Sequence, residues 1–175
     1  MKRQLDIFFT GLCLLMFVGA CSVTGPLRVD PKALNYETGS LPASWQRRGD
    51  DQKESSADQI YSNAKTNAYI AINSMCQRYP DSSLESLMRQ LMVPISQSEV
   101  SDQHTRMIDE REALQTSVKG LLDGVAVEAQ FLVLRKNECI FDFSLISRGH
   151  LNSEDLAAFE KMVSGFHYFG GVSKP

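Results

Sequence analysis

The chain of 175 residues has no apolar run near the roughly twenty residues that a membrane-crossing helix needs. Basic residues are not in excess: 18 Lys and Arg against 21 Asp and Glu give a formal charge of -3, which offers no clustered positive face for nucleic acid. Histidine is scarce. His104, His150 and His167 are far apart, and the nearest approach to a ligand set is His104 with Asp102 or Asp109, looser than metal-site spacing. No metal and no cofactor is therefore expected. There is no GxSxG elbow, no Ser-x-x-Lys set with its supporting motifs and no glycine-rich phosphate loop, so the usual nucleophile and phosphate chemistries lack their residues. The cluster Asp109-Glu110-Glu112, interleaved with Arg106 and Arg111, reads as a solvated, self-paired strand end rather than a catalytic carboxylate pair. Hydrophobic residues at 43% and charged residues at 22% remain near globular averages, which excludes wholesale disorder.

What is present begins at the first residue. Met1, Lys2 and Arg3 give a short positive start, and Ile7 to Val18 is an apolar run of the length of a secretory signal core. Small residues follow, as a signal peptidase requires. Val18-Gly19-Ala20-Cys21 resembles the bacterial lipobox, in which the cysteine sulfur is joined to diacylglycerol, the chain is cut between the residues matching Ala20 and Cys21, and the new amino terminus is acylated. The resemblance implies residues 1–20 as a lipoprotein signal peptide and Cys21 as the lipidation site. Two or more acyl chains anchor stably where one does not, so the partner it implies is the membrane, through Cys21. Ser22 in place of Asp after the cysteine is similar to the enterobacterial pattern for export to the outer membrane.

Of the four cysteines, Cys13 leaves with the signal and Cys21 is used by lipid, so the exported part keeps Cys76 and Cys139. An oxidising compartment makes a Cys76–Cys139 disulfide the expected state; without CxxC, and without a histidine beside either residue, a redox pair or a metal site fits less well.

Residues 21–58 read as the lipidated N-terminus and a flexible tether, with Pro26, Pro31 and Pro42 scattered among Gly, Ser and charged residues; Leu41 to Trp45 is the one piece able to dock as a strand. Residues 59–170 form a single domain and 171–175 a tail. Ile60 to Cys76 suggests a hairpin broken near Thr66-Asn67, with Ile70, Ile72, Ser74 and Cys76 on one face. Ser82 and Glu85 form a capping box for a helix whose Leu84, Leu87, Met88 and Leu91 share a stripe, ended by Pro94. Residues 96 to 110 are polar, lack periodicity and read as a loop leading into a strand. Asp123-Gly124 and Lys136-Asn137-Glu138 then punctuate a three-stranded meander in which Val125, Val127, Ala129, Phe131 and Val133 share one face and Cys139, Phe141, Phe143 and Leu145 another. Asn152 and Asp155 cap a second helix carrying Leu156, Phe159, Val163 and Phe166.

The order predicts an α+β fold, an antiparallel sheet made of a hairpin plus a three-stranded meander with two packed helices. Its end, from Cys139 to Phe143 with Phe159, Val163 and Phe166, resembles that of PsbP-like α/β/α sandwich proteins. That resemblance implies accessory subunits, binding modules or assembly factors without shared catalytic apparatus. The expected function is thus a membrane-anchored envelope lipoprotein facing the periplasm, not an enzyme, that binds an envelope protein and no nucleic acid. The alternative is a lipid or small-ligand carrier with a cleft lined by Phe131, Phe141, Phe143, Phe159 and Phe166.

Overall fold

The computed structural model describes residues 31–49, 57–77 and 81–172. Two short strands come first, β1 (Tyr36–Glu37) and β2 (Trp45–Arg47). The β-rich residues of 59–76 form the expected hairpin, β3 (Gln59–Asn63) and β4 (Ala68–Cys76), with Asn67 in the left-handed region at its turn. Helix α1 (Leu84–Met92) starts one residue later than the capping box implied: Ser83, not Ser82, accepts the Ser86 N–H. Four long strands follow, β5 (Ile95–Ile108), β6 (Arg111–Leu122), β7 (Val125–Lys136) and β8 (Cys139–Arg148). Helix α2 (Ser153–Ser164), capped by the Asn152 side chain on the Asp155 N–H, leads to β9 (His167–Tyr168).

The loop expected over 96–110 is instead the edge strand β5. It is exposed along nearly its whole length, so nothing in its sequence selects one apolar face and no alternation is visible. The reversals around it are tight: Asp109-Glu110, Asp123-Gly124 and Asn137-Glu138 all have positive φ at both positions, the backbone that matches strand twist in a two-residue hairpin. Hairpin and meander are not separate pieces. They join through β4 and β8 into one antiparallel sheet of order β2-β3-β4-β8-β7-β6-β5, while β1 and β9 pair in a small second sheet.

Both faces of the large sheet are covered, one by each helix. Leu87 and Met88 of α1 pack on Leu114, Val118, Val127, Ala129, Phe131 and Val133. On the other face Ala158, Phe159, Met162 and Val163 of α2 pack on Ile70, Ile72, Leu132, Leu134, Phe141, Phe143 and Leu145. Central strands buried on both faces explain why β7 and β8 carry apolar residues at most positions. The small sheet closes the α2 layer: Phe141 meets Phe166, Tyr168 and Tyr36 edge-on at 4.8, 5.0 and 5.7 Å between ring centres. Each such buried ring contributes on the order of 2–3 kcal/mol.

The docking expected of Leu41 to Trp45 is seen, with Leu41 on the core and Trp45 opening β2, but the tether expectation fails for the rest of 31–49. Ala33 is a core residue, Pro31 accepts the Cys76 N–H, and Gly39 donates to the Met162 carbonyl, so this segment is held by long-range contacts that local composition does not encode. Of the expected tail, Gly171 accepts from Leu34 N–H and Tyr168 Oη, and Val172 bridges Ala33. Ala20 and Cys21, with the whole lipobox and signal segment, lie outside the described residues.

Candidate functional site

Cys76 and Cys139 are register partners at the ends of β4 and β8, and their sulfurs are bonded, with 3.9 Å between Cα atoms. The Cys76 N–H goes to Pro31 and not across the ladder, which marks a non-hydrogen-bonded pair, the closer of the two antiparallel arrangements. This bridge is structural: both residues are fully buried.

The other expected groups do not converge. His104 lies 2.7 Å from Asp102, His150 lies 2.8 Å from Glu128 and His167 lies 2.7 Å from Asp109, three separate pairs. No three His, Cys, Asp or Glu side chains gather as a metal set among the described residues. Asp109 is not part of a solvated, self-paired end. Its side chain is 5% exposed and ties the β5–β6 turn to Lys136, His167 and the Tyr168 N–H. Burial alone would raise this acid, but those bonds outweigh it and hold it below the usual carboxylate range. Arg106 leaves the cluster for Glu160 of α2, a two-pronged pair. Glu128 is pulled down to about 2, chiefly by the Lys119 bond and then by the Leu151 N–H.

The proposed aromatic cleft is also absent. Phe131 faces α1, whereas Phe141, Phe143, Phe159 and Phe166 face α2, and all are at most 3% exposed. The sheet itself separates them. The two runs of alternating residues were assignable to faces within each strand, but the one-residue offset between strands depends on register: Leu132, not Phe131, stands opposite Phe143.

A cavity does exist on the α1 side. It holds about 200 Å³ and is lined by Met75, Leu87, Gln90, Leu91, Ile140 and Asp142. Helical spacing brings Leu87, Gln90 and Leu91 over it, and strand alternation aims Ile140 and Asp142 of β8 up from below, since Cys139, Phe141 and Phe143 point to the α2 core. Asp142 pairs in register with Asn73, whose amide donates to it at 3.5 Å. Beyond Asn73 stands Asp58, held at the sheet edge by its N–H on the Ile72 carbonyl. Lys32 bonds the Asn73 side-chain oxygen and lies 3.4 Å from Asp58, which also accepts from Tyr36 at 3.3 Å. Burial raises Asp142 to about 6; the Asn73 bond and the Lys32 charge act against it, and the Asp58 charge adds to it. Burial and Asp58 likewise push the Tyr36 hydroxyl up.

Nothing in the sequence marked Asp142. Alternation placed it on the polar face of its strand with Ser144, and that face is solvated only if the strand is not central and no helix lies above it. A smaller cavity of about 160 Å³ lies farther along the same face, lined by Tyr69, Val125, Ile146 and Arg148 among others, beyond the reach of α1.

No protein-family model matches this chain, and no curated protein does. Solved structures do. The solution structure of the cyanobacterial PsbP protein CyanoP from Synechocystis sp. PCC 6803 superposes with a TM-score of 0.56 at 14% identity, over 87% of this chain and 99% of that one. A crystal structure from Bacteroides thetaiotaomicron superposes with a TM-score of 0.51 at 8% identity, over 74% of this chain and 44% of that one. The chain therefore shares the PsbP-like α+β fold, a mostly antiparallel sheet with two helices. At such identities the likeness is one of fold.

Proposed function

We propose that the chain is a bacterial envelope lipoprotein, anchored through Cys21 to the outer membrane and facing the periplasm, whose folded part is a noncatalytic accessory or assembly module that binds another envelope protein. The observation that carries the binding part is the closed pair of cores: the rings that would have lined a carrier's interior are packed against each helix, so recognition falls to the surface and its shallow cavities. The disulfide suits an oxidising compartment. The lipobox residues Val18 to Cys21 support the anchor, and the fold shared with CyanoP fits an accessory role.

The test has two parts. Labelled palmitate should enter the wild-type product and be lost in Cys21→Ala; label that is absent, or that survives the substitution, overturns the anchor. Crosslinking in intact cells should then capture a distinct protein on the domain. Recovery of lipid in its place, at one molecule per chain, would support the carrier reading instead.

A further inference from the structure

We infer that the cavity beneath α1 receives one cationic side chain, arginine or lysine, presented by the module's protein partner; this rests on the binding-module reading above. At about 200 Å³ the space is below the 300–1,000 Å³ typical of sites for whole small molecules, and suits a single side chain. Met75, Leu87, Leu91 and Ile140 give it apolar walls, complementary to the methylene stem that lysine and arginine carry. Its polar lining is Asp142 with Gln90.

Charge selects the occupant's tip. An ionised carboxylate is acceptor-only with room for about four donors. Among the described residues the hydrogen bond Asp142 receives is the single long one from Asn73. Lys32 stands on the far side of Asn73, shared with Asp58, so two carboxylates face this one lysine along the row. Burial raises Asp142 only to about 6, so the carboxylate form is within reach at neutral pH, and a cation seated beside it favours that form. An uncharged apolar occupant would bury that charge more deeply without pairing it, which is costly; a guanidinium or ammonium pairs it. A metal ion would need ligands that the described residues of the lining do not supply.

The full lipidated chain in nonionic detergent is the material, and the methyl resonances of Met75 and Ile140 are the readout at pH 7. Butylguanidinium should shift them with a Kd in the millimolar range or tighter, and the peptide acetyl-Ala-Arg-Ala-amide should bind at least as well. Asp142→Asn should weaken both at least tenfold, and Leu91→Trp, which fills the cavity with Asp142 intact, should abolish the shifts. The inference is overturned if no probe binds, if Asp142→Asn changes nothing, or if pentanol and the norleucine peptide bind as well as the cations. It is also overturned if free butylguanidinium binds tenfold tighter than the peptide, which would make the pocket one for free amines. A partner crosslinked equally by wild type and Asp142→Asn would sink this inference alone and leave the module reading standing.

Discussion

Replacing Asp142 with Asn should make the protein more stable at neutral pH. An exposed aspartate in the unfolded chain titrates near 3.8, while the native environment raises Asp142 to about 6. The native state thus holds this proton more tightly than the unfolded state does. Its stabilising effect is complete below about pH 4 and disappears as pH rises through 6, because the unfolded chain then releases the proton at less cost. With about 1.4 kcal/mol per factor of ten, the loss over that window is on the order of 3 kcal/mol. Asparagine keeps nearly the same shape and cannot ionise, so it should not suffer this loss. The attraction of Lys32 and the repulsion of Asp58 are already contained in that shift, so once the altered hydrogen bond to Asn73 is set against it the expected gain at pH 8 is about 1–3 kcal/mol. Urea unfolding at intervals from pH 4 to pH 8, read by the fluorescence of the buried Trp45, gives both curves. Other acids, such as Asp109 and Glu128, titrate in both proteins, so the informative quantity is the difference between them. That difference should open between pH 4 and pH 7 in favour of Asn. A flat difference, or a variant that loses stability relative to wild type as pH rises, would refute the account.

Three further substitutions probe how the scaffold is held. Ser at Cys76 and Cys139 together removes a bridge that closes a 63-residue separation, which the chain-entropy relation values at roughly 4 kcal/mol; urea midpoints under non-reducing conditions should drop accordingly, and an unchanged midpoint would contradict that. Asp155→Ala strips the acceptor shared by Asn63, Thr66 and Asn152 at 3.1, 3.1 and 2.9 Å in a fully buried position, so a loss of about 2–4 kcal/mol is expected, against under 1 if water replaces it. Gly39→Ala would put a methyl 1.9 Å from the Lys161 carbonyl oxygen, a backbone atom; the N-terminal segment should detach from α2 or the melting temperature fall by several degrees, and wild-type melting would show that the contact is not tight.

Much of the layout was readable because local chemistry and tertiary position agree. The α1 stripe at Leu84, Leu87, Met88 and Leu91, the Asn152 cap, the Asp123-Gly124 turn and the alternation of β8 each sit where period and turn geometry put them. What was not readable depends on partners far away in sequence. Residues 31–49 look like linker, and become structure only by bonding to Cys76, Met162 and Gly171. Strand β5 has no buried face to impose a pattern, and is ordered by its long ladder with β6. Asp142 resembled an ordinary surface aspartate until the sheet order put β4 on one side of it, β7 on the other and α1 above.

The corrected boundary also changes what the proposed anchor would do. Pro31 is fixed to the disulfide end of β4, so on the lipoprotein reading only residues 22–30 separate Cys21 from the folded part. Fully extended, a segment of that length spans roughly 30 Å, against more than 100 Å for a tether running to residue 58. The domain would then stay within one diameter of the bilayer, with its disulfide end inward. Met75 and Ile140 are register partners immediately next to Cys76 and Cys139, so on the lipoprotein reading the acid-lined cavity would lie in that membrane-facing half. On that reading a partner seated there would be reached close to the lipid surface, so a membrane protein or a second lipoprotein would fit this geometry better than a free periplasmic one. The high local concentration of such neighbours would then let a small, single-residue pocket suffice, because tethering would make up for what its contact area lacks.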